Sequence, residues 1–250
     1  MSLDGLSRGT LRHFKNLVVA SLLLLTSATA QNATADRALL STLNARASRF
    51  ASDVRAQGIN IPLPVPAIRI DQDAQVARYD NEKNVVHMLR WDTASMRARA
   101  TFNLMAIYCK DGTTGKSLFS ESYDRLFFTH ELAHWLQLQF RNQSADHYAL
   151  ELEANRMAVA YWSQRPNDRI WLGRLVERYR KILTQLPSPV PNGQRPSDYF
   201  NKNYAAWVDN GKLEYGTSQL TMVVQAWDDR DRPTFAEMIH SLAKPSGTSR

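Results

Sequence analysis

A chain of 250 residues, 44% hydrophobic and 22% charged, is long enough to bury one sizeable core and too apolar to be disordered or fibrous. Its net charge of +7 falls to +5 once the three Lys/Arg and one Asp of residues 1–30 are set aside, and the surplus is scattered. Arg97, Arg99, Arg165, Arg169, Arg174, Arg178, Arg180 and Lys181 recur at the spacing of solvated helix faces, which excludes a nucleic-acid-binding stripe and leaves only loose attraction to anionic polymers.

The first thirty residues differ from the rest. Arg8, Arg12, His13 and Lys15 precede the apolar run Leu17–Leu25, and small residues follow to Ala30. This is the pattern of a secretory signal peptide, with cleavage expected after Ala30 or, as a second option, after Ala35. The alternative is an uncleaved anchor, but the run falls short of the roughly 20 residues a bilayer needs. The expectation is therefore an exported protein, periplasmic or secreted, with no stable membrane span after cleavage and one domain over residues 31–250. The single cysteine, Cys109, permits no intramolecular disulfide and reads as a buried small apolar residue.

Leu39, Leu43, Ala47, Phe50 and Val54 predict an amphipathic helix over 36–57, capped by Asp36 and ended by Gly58. A proline-rich connector leads to three predicted strands, Ala67–Asp71, Val76–Tyr79 and Val85–Trp91, with a turn at 80–84 between the last two. His87, on the third, reads as a surface strand residue. Asp92 or Thr93 caps a helix to about Tyr108, with Phe102, Met105 and Ile107 as core candidates. Residues 110–118 read as a polar loop; their two glycines lack phosphate-loop spacing and follow no strand.

A helix expected to begin around Ser120–Ser122 carries Thr129-His130-Glu131-Leu132-Ala133-His134-Trp135. Histidines four apart on a helix sit on one face and can converge on one metal ion. Zinc accepts neutral imidazole nitrogens, and a neighbouring carboxylate can take a proton from a zinc-bound water and hand it to a leaving amine. With six His and eight Glu in the chain, roughly 0.005 chance occurrences of this spacing are expected, so coincidence explains it poorly. Such a site needs a third protein ligand. A turn at 142–144 would fold the next helix back antiparallel, bringing either Glu151 or Glu153 to the metal, since they lie about 200° apart around the axis.

The pair of segments, HELAH followed by ELEAN, resembles the gluzincins, zinc metallopeptidases with two His and one Glu as ligands. The resemblance covers Leu126 to about Ala160 and is nearest to small, minimal members of that group. It implies His130, His134 and Glu151 as zinc ligands, Glu131 as general base and then acid, Ala154 as the small residue permitting close helix packing, and Asn155 as hydrogen-bond partner of a zinc-bound His. Asn155 replaces the commoner Asp, which makes that partner neutral. A small sheet preceding the zinc helix also fits the group, and the resemblance implies that Val85–Leu89 is the sheet edge against which an extended peptide substrate pairs.

Beyond this, Pro166 or Asn167 opens a helix with Ile170, Trp171, Leu175, Ile182 and Leu183 as its apolar stripe, closing before a proline-rich crossing at 187–193. Helices follow over Asp198–Val208 and Glu214–Trp227, and a last one starts at Thr234, where Thr234 and Glu237 form a capping box. Gluzincins commonly use a downstream Tyr or His to stabilise the oxyanion that develops on the attacked carbonyl; Tyr215 is the first candidate and Tyr204 the second.

The expected fold is α+β and mostly helical: a zincin-like domain with a small N-terminal sheet and C-terminal helices. The expected function is zinc-dependent hydrolysis of a peptide or protein substrate. Two other readings use the same residues, a non-catalytic zinc-stabilised binding module and a zinc hydrolase acting on a non-peptide bond.

Overall fold

The computed structural model describes residues 34–71, 77–140 and 146–243. The chain divides into two compact units, Met1–Thr42 and Leu43–Arg250. In the first, residues 34–42 are helical throughout, so Asp36 stands within a helix instead of capping one. The expected signal peptide and the turn at 142–144 lie outside the described residues. Among the described residues no helix is long and apolar enough to cross a membrane.

The second unit is mostly helical with a small three-stranded sheet. It opens with α1, residues 43–55, whose Leu43, Ala47, Phe50 and Val54 are buried at the spacing the sequence predicts. Gly58 follows in a left-handed conformation, φ +77°, which a glycine adopts at no steric cost. The sheet consists of β1 (Ala67–Ile70), β2 (Arg78–Asp80) and β3 (Val85–Met88) in the order β1-β3-β2, β3 running parallel to β1 and antiparallel to β2.

That order corrects an expectation. The Val85–Leu89 strand is central, not an edge, because both its flanks are hydrogen-bonded to neighbours. It also ends at Met88, since Trp91–Thr93 turn into a short 3-10 segment. His87 on β3 is buried, not a surface residue: its Nδ1 lies 2.8 Å from Asp71 Oδ2, tying the end of β1 to the middle of the sheet.

Helix α2 (Met96–Cys109) is capped by Ser95, whose hydroxyl accepts from Ala98 N–H at 3.1 Å, instead of by Asp92 or Thr93. Met105 and Cys109 are buried as expected, but Ile107 is 69% exposed. The supposed polar loop is helical from Gly115: Thr114 caps α3 (Gly115–Glu121), which widens into a π-type turn at Ser122–Phe127 and continues as α4 (Phe128–Phe140). The remaining helices are α5 (His147–Ser163), α6 (Pro166–Leu183), α7 (Pro196–Asp209), α8 (Leu213–Asp228) and α9 (Phe235–Ala243). Ile170 leaves the stripe assigned to α6 and is 59% exposed, whereas Trp171, Leu175 and Ile182 are buried. The capping box at α9 forms as the sequence predicts, Thr234 N–H donating to Glu237 Oε2 at 2.7 Å and Glu237 N–H to Thr234 Oγ1 at 3.3 Å.

Helix α4 runs through the core, with Phe128, Leu132, Ala133, Trp135 and Leu136 fully buried. Its orientation against α5 and α6 is fixed by polar contacts around Arg125. The guanidinium lies over the Trp171 and Trp162 rings at 3.5 and 4.6 Å and pairs with Asp168 at 2.8 Å. Trp162 Nε1–H in turn donates to Thr129 Oγ1 at 3.0 Å, one residue from His130. On the far side, Phe50 of α1 meets Tyr161 of α5 and Phe235 of α9 edge-on, with centroids at 5.1 and 5.8 Å. Phe50→Ala removes the ring shared by three helices and is expected to cost about 3–5 kcal/mol of stability, read from the midpoint of urea denaturation.

Candidate metal centre

Three electron-pair donors meet where α4 and α5 cross. His130 Nε2 and His134 Nε2 are 3.0 Å apart, and Glu151 Oε2 lies 3.0 Å from the first and 3.5 Å from the second. Among the described residues this is the one cluster of His, Cys, Asp or Glu able to hold a metal ion. An ion with bonds of about 2.05 Å in a tetrahedral site separates its ligands by about 3.3 Å, so the triad fits a small divalent cation. Glu153 points elsewhere, accepting from Gln137 Nε2 at 3.0 Å.

The protonation of both rings follows from their neighbours. Glu151 can only accept, so Gln219 must present its Nε2 to Glu151 Oε2, at 2.6 Å. Gln219 Oε1 then faces Asn155 Nδ2 at 2.7 Å, and Asn155 Nδ2 also donates to Glu151 O at 3.0 Å. Asn155 Oδ1 is left toward His130 Nδ1 at 3.1 Å, which must therefore carry the hydrogen. The same logic holds for the second ring. Gln137 Nε2 donates to Leu150 O and Glu153 Oε2, both at 3.0 Å, leaving its Oε1 to accept from His134 Nδ1 at 2.8 Å. Both Nε2 lone pairs consequently face each other and a carboxylate. A proton or a metal ion must supply the missing positive charge.

The titration of the triad carries the same message. Although burial works against the charged ring, Glu151, hydrogen bonding to it, Glu131 and Gln137 raise the His134 pKa to about 9. Burial alone would raise Glu151, but the two histidines hold it well below the usual carboxylate range. Without metal, the site keeps a proton at neutral pH.

Glu131, one residue beyond His130, is buried and is not part of the triad. Desolvation raises its pKa, opposed by the two histidines and by a hydrogen bond from the Tyr79 backbone N–H, and assisted by Glu151. That contact places β2, an edge strand, beside the site. Tyr204 and Tyr215 both direct their hydroxyls at Glu151 Oε1, at 2.9 and 3.5 Å. The first candidate, Tyr215, is thus the looser partner of Glu151, while Tyr204 is the tighter one and is stacked on His147 at 4.1 Å. Tyr215 alone of the two lines the cavity that His130 and Glu131 face.

Sequence reading therefore brings together His130, Glu131, His134, Glu151 and Asn155, and it misses Gln137 and Gln219. Gln137 had a usable signal, standing one helical turn from His134. Gln219 had none, because 68 residues separate it from Glu151. No family model, no curated protein and no solved structure matches the chain, so the reading of the site rests on its own geometry.

Two outcomes follow. Because a metal must displace a proton that titrates at about 9, its affinity should rise about tenfold per pH unit between pH 6 and 8 and level off above 9. Chelator competition at several pH values measures this, and a flat profile contradicts the assigned proton. Gln219→Leu strands Glu151 and Asn155 without their partner and should weaken metal binding by about 10- to 100-fold in the same assay.

Proposed function

We propose that the protein is an exported zinc metallopeptidase of the gluzincin type with a zincin-like fold. The observation that carries this reading is the pairing of an open three-donor site with a separate buried carboxylate next to it. Two imidazole nitrogens and one carboxylate oxygen are a donor set that suits zinc. Structural zinc sites are closed by four protein ligands, whereas catalytic ones use three and keep a position for water or substrate. A structural site also has no use for Glu131.

His130, His134 and Glu151 would hold the ion, and bound zinc would supply Lewis acidity to a carbonyl and to water. Glu131 accepts a proton from the attacking water and passes it to the leaving nitrogen. Its burial suits that exchange, because a raised pKa brings the carboxylate nearer to neutrality and strengthens it as an acid–base pair. Tyr204 and Gln219 hold Glu151 in place through its two oxygens. Tyr215, at the cavity wall and only loosely held by Glu151 Oε1 at 3.5 Å, would turn its hydroxyl to a developing oxyanion. The apolar run near the N-terminus supports export.

The test begins with metal content. Purified without chelator, the parent should carry about one zinc per chain and Glu151→Ala should lose it. Glu131→Gln should keep the metal and abolish hydrolysis of an unstructured protein substrate. Cell-wall peptide and ester substrates, assayed beside it, decide whether the bond is a peptide bond. Tyr215→Phe should lower kcat about 10²- to 10³-fold with little change in KM. Retention of activity by Glu131→Gln would remove the assigned mechanism.

A further inference from the structure

His130 and Glu131 form one wall of a cavity of about 280 Å³ between α2 and the start of α8. An apolar cavity of about 150 Å³ accommodates one benzene ring, so this one has room for more than a single phenyl side chain. Its interior is apolar or aromatic, with Met105, Leu118, Tyr179 and Leu220 among the buried lining residues. The exposed members of the lining mark its mouth: Arg97, Leu104, Lys212 and Leu213. Glu131 is the one acidic residue in the lining, and it belongs to the metal centre. Among the described residues neither Arg97 nor Lys212 is placed in an ion pair.

Gly216 also lines the cavity. It sits inside α8, where glycine is less favourable than alanine by roughly 0.5–1 kcal/mol. Of two other helical glycines, Gly115 is required by packing, since a Cβ would come within 2.1 Å of Asn103, and Gly173 is tight, with a Cβ within 3.1 Å of Trp227. A Cβ on Gly216 would meet nothing within 4 Å. Gly216 is among the residues that line the cavity, so a side chain there meets no neighbour of its own chain.

We infer that the cavity receives the apolar carboxyl-terminal residues of a peptide, whose free terminal carboxylate is held at the mouth by Arg97 and Lys212. The inference rests on the peptidase reading and narrows it to hydrolysis near the carboxyl end, water adding across the C–N bond that precedes the bound residues. An internal stretch of apolar residues brings no charge to two cations; a chain end does. A ligand seated in the cavity also lies against His130 and Glu131, which places the preceding amide beside the metal centre.

The experiment is calorimetric titration of zinc-loaded full-length Glu131→Gln, which holds peptides without cleaving them. The probes are a hexapeptide ending in Phe-Leu as free acid, the same peptide amidated, a free-acid hexapeptide ending in Ser-Gly, and dodecanoate. The free acid ending in Phe-Leu should bind at least about tenfold more tightly than its amide and than the Ser-Gly peptide. Adding Arg97→Gln and Lys212→Gln should erase the acid–amide difference while metal content and thermal midpoint stay unchanged. Adding Gly216→Phe, which grows a ring into open space, should abolish binding with the metal retained. Equal binding of acid and amide, persistence of binding in Gly216→Phe, or a preference for dodecanoate over every peptide would each overturn the inference. The parent protein separates the two levels. Hydrolysis of acid and amide peptides at equal rates keeps the peptidase reading and removes this one. Acid-selective binding with no hydrolysis of any peptide keeps the recognition site and removes the peptidase reading.

Discussion

The site depends on one constraint: a group of buried polar side chains between α4, α5 and α8 has to satisfy its hydrogen bonds internally. An unpaired polar group in such a place costs about 1–3 kcal/mol, and a charged one more. Glu151 accepts from Gln219, Tyr204 and Tyr215, Gln219 accepts from Asn155, and Asn155 accepts from His130. Each link fixes the orientation of the next amide, and the chain of orientations ends on an imidazole tautomer. The electron pairs of the metal centre are thus set by hydrogen bonds made behind them. Neutral Asn155 does for His130 what Gln137 does for His134, so neither ring leans on a carboxylate through Nδ1.

The surrounding fold serves to hold that arrangement still. Arg125 sandwiches its charge between Asp168 and two tryptophan faces, binding the turn before α4 to α5 and α6. The π-type turn at Ser122–Phe127 lets α3 and α4 follow one another without a loop while changing the face that α4 presents. The sheet contributes less mass, but the Tyr79 backbone of β2 helps to hold down the pKa of Glu131. Above the metal centre, α2 and the start of α8 stand apart and leave the apolar cavity between them.

Where sequence reading and structure part, the reason is usually that one chain segment was judged without its neighbours. Ile107 and Ile170 fit apolar stripes but face outward, because periodicity gives a face and not what lies against it. Residues 115–118 look like loop by composition, yet Thr114 caps a helix there, and Gly115 passes so close to Asn103 that no side chain fits. The Val85–Met88 strand reads correctly as a strand, but its place in the middle of the sheet follows from the parallel pairing with β1. His87, a surface residue by sequence pattern, is buried once Asp71 is brought beside it.

The sequence by itself determined the elements governed by short-range spacing: the helix carrying His130 and His134 on one face, the carboxylate of Glu131 next to them, the capping box at Thr234, and the burial of Leu43, Ala47, Phe50 and Val54. These depend on helical geometry and on hydrogen bonds reaching three or four residues, which a linear pattern encodes. Only the tertiary structure decided between Glu151 and Glu153, supplied Gln219 to hold Glu151, made Tyr215 and not Tyr204 the tyrosine of the cavity wall, and placed β2 at the edge beside Glu131. Those outcomes depend on which helix faces meet across tens of residues, and they are set by the packing of the whole core and by the need to leave no buried polar group without a partner.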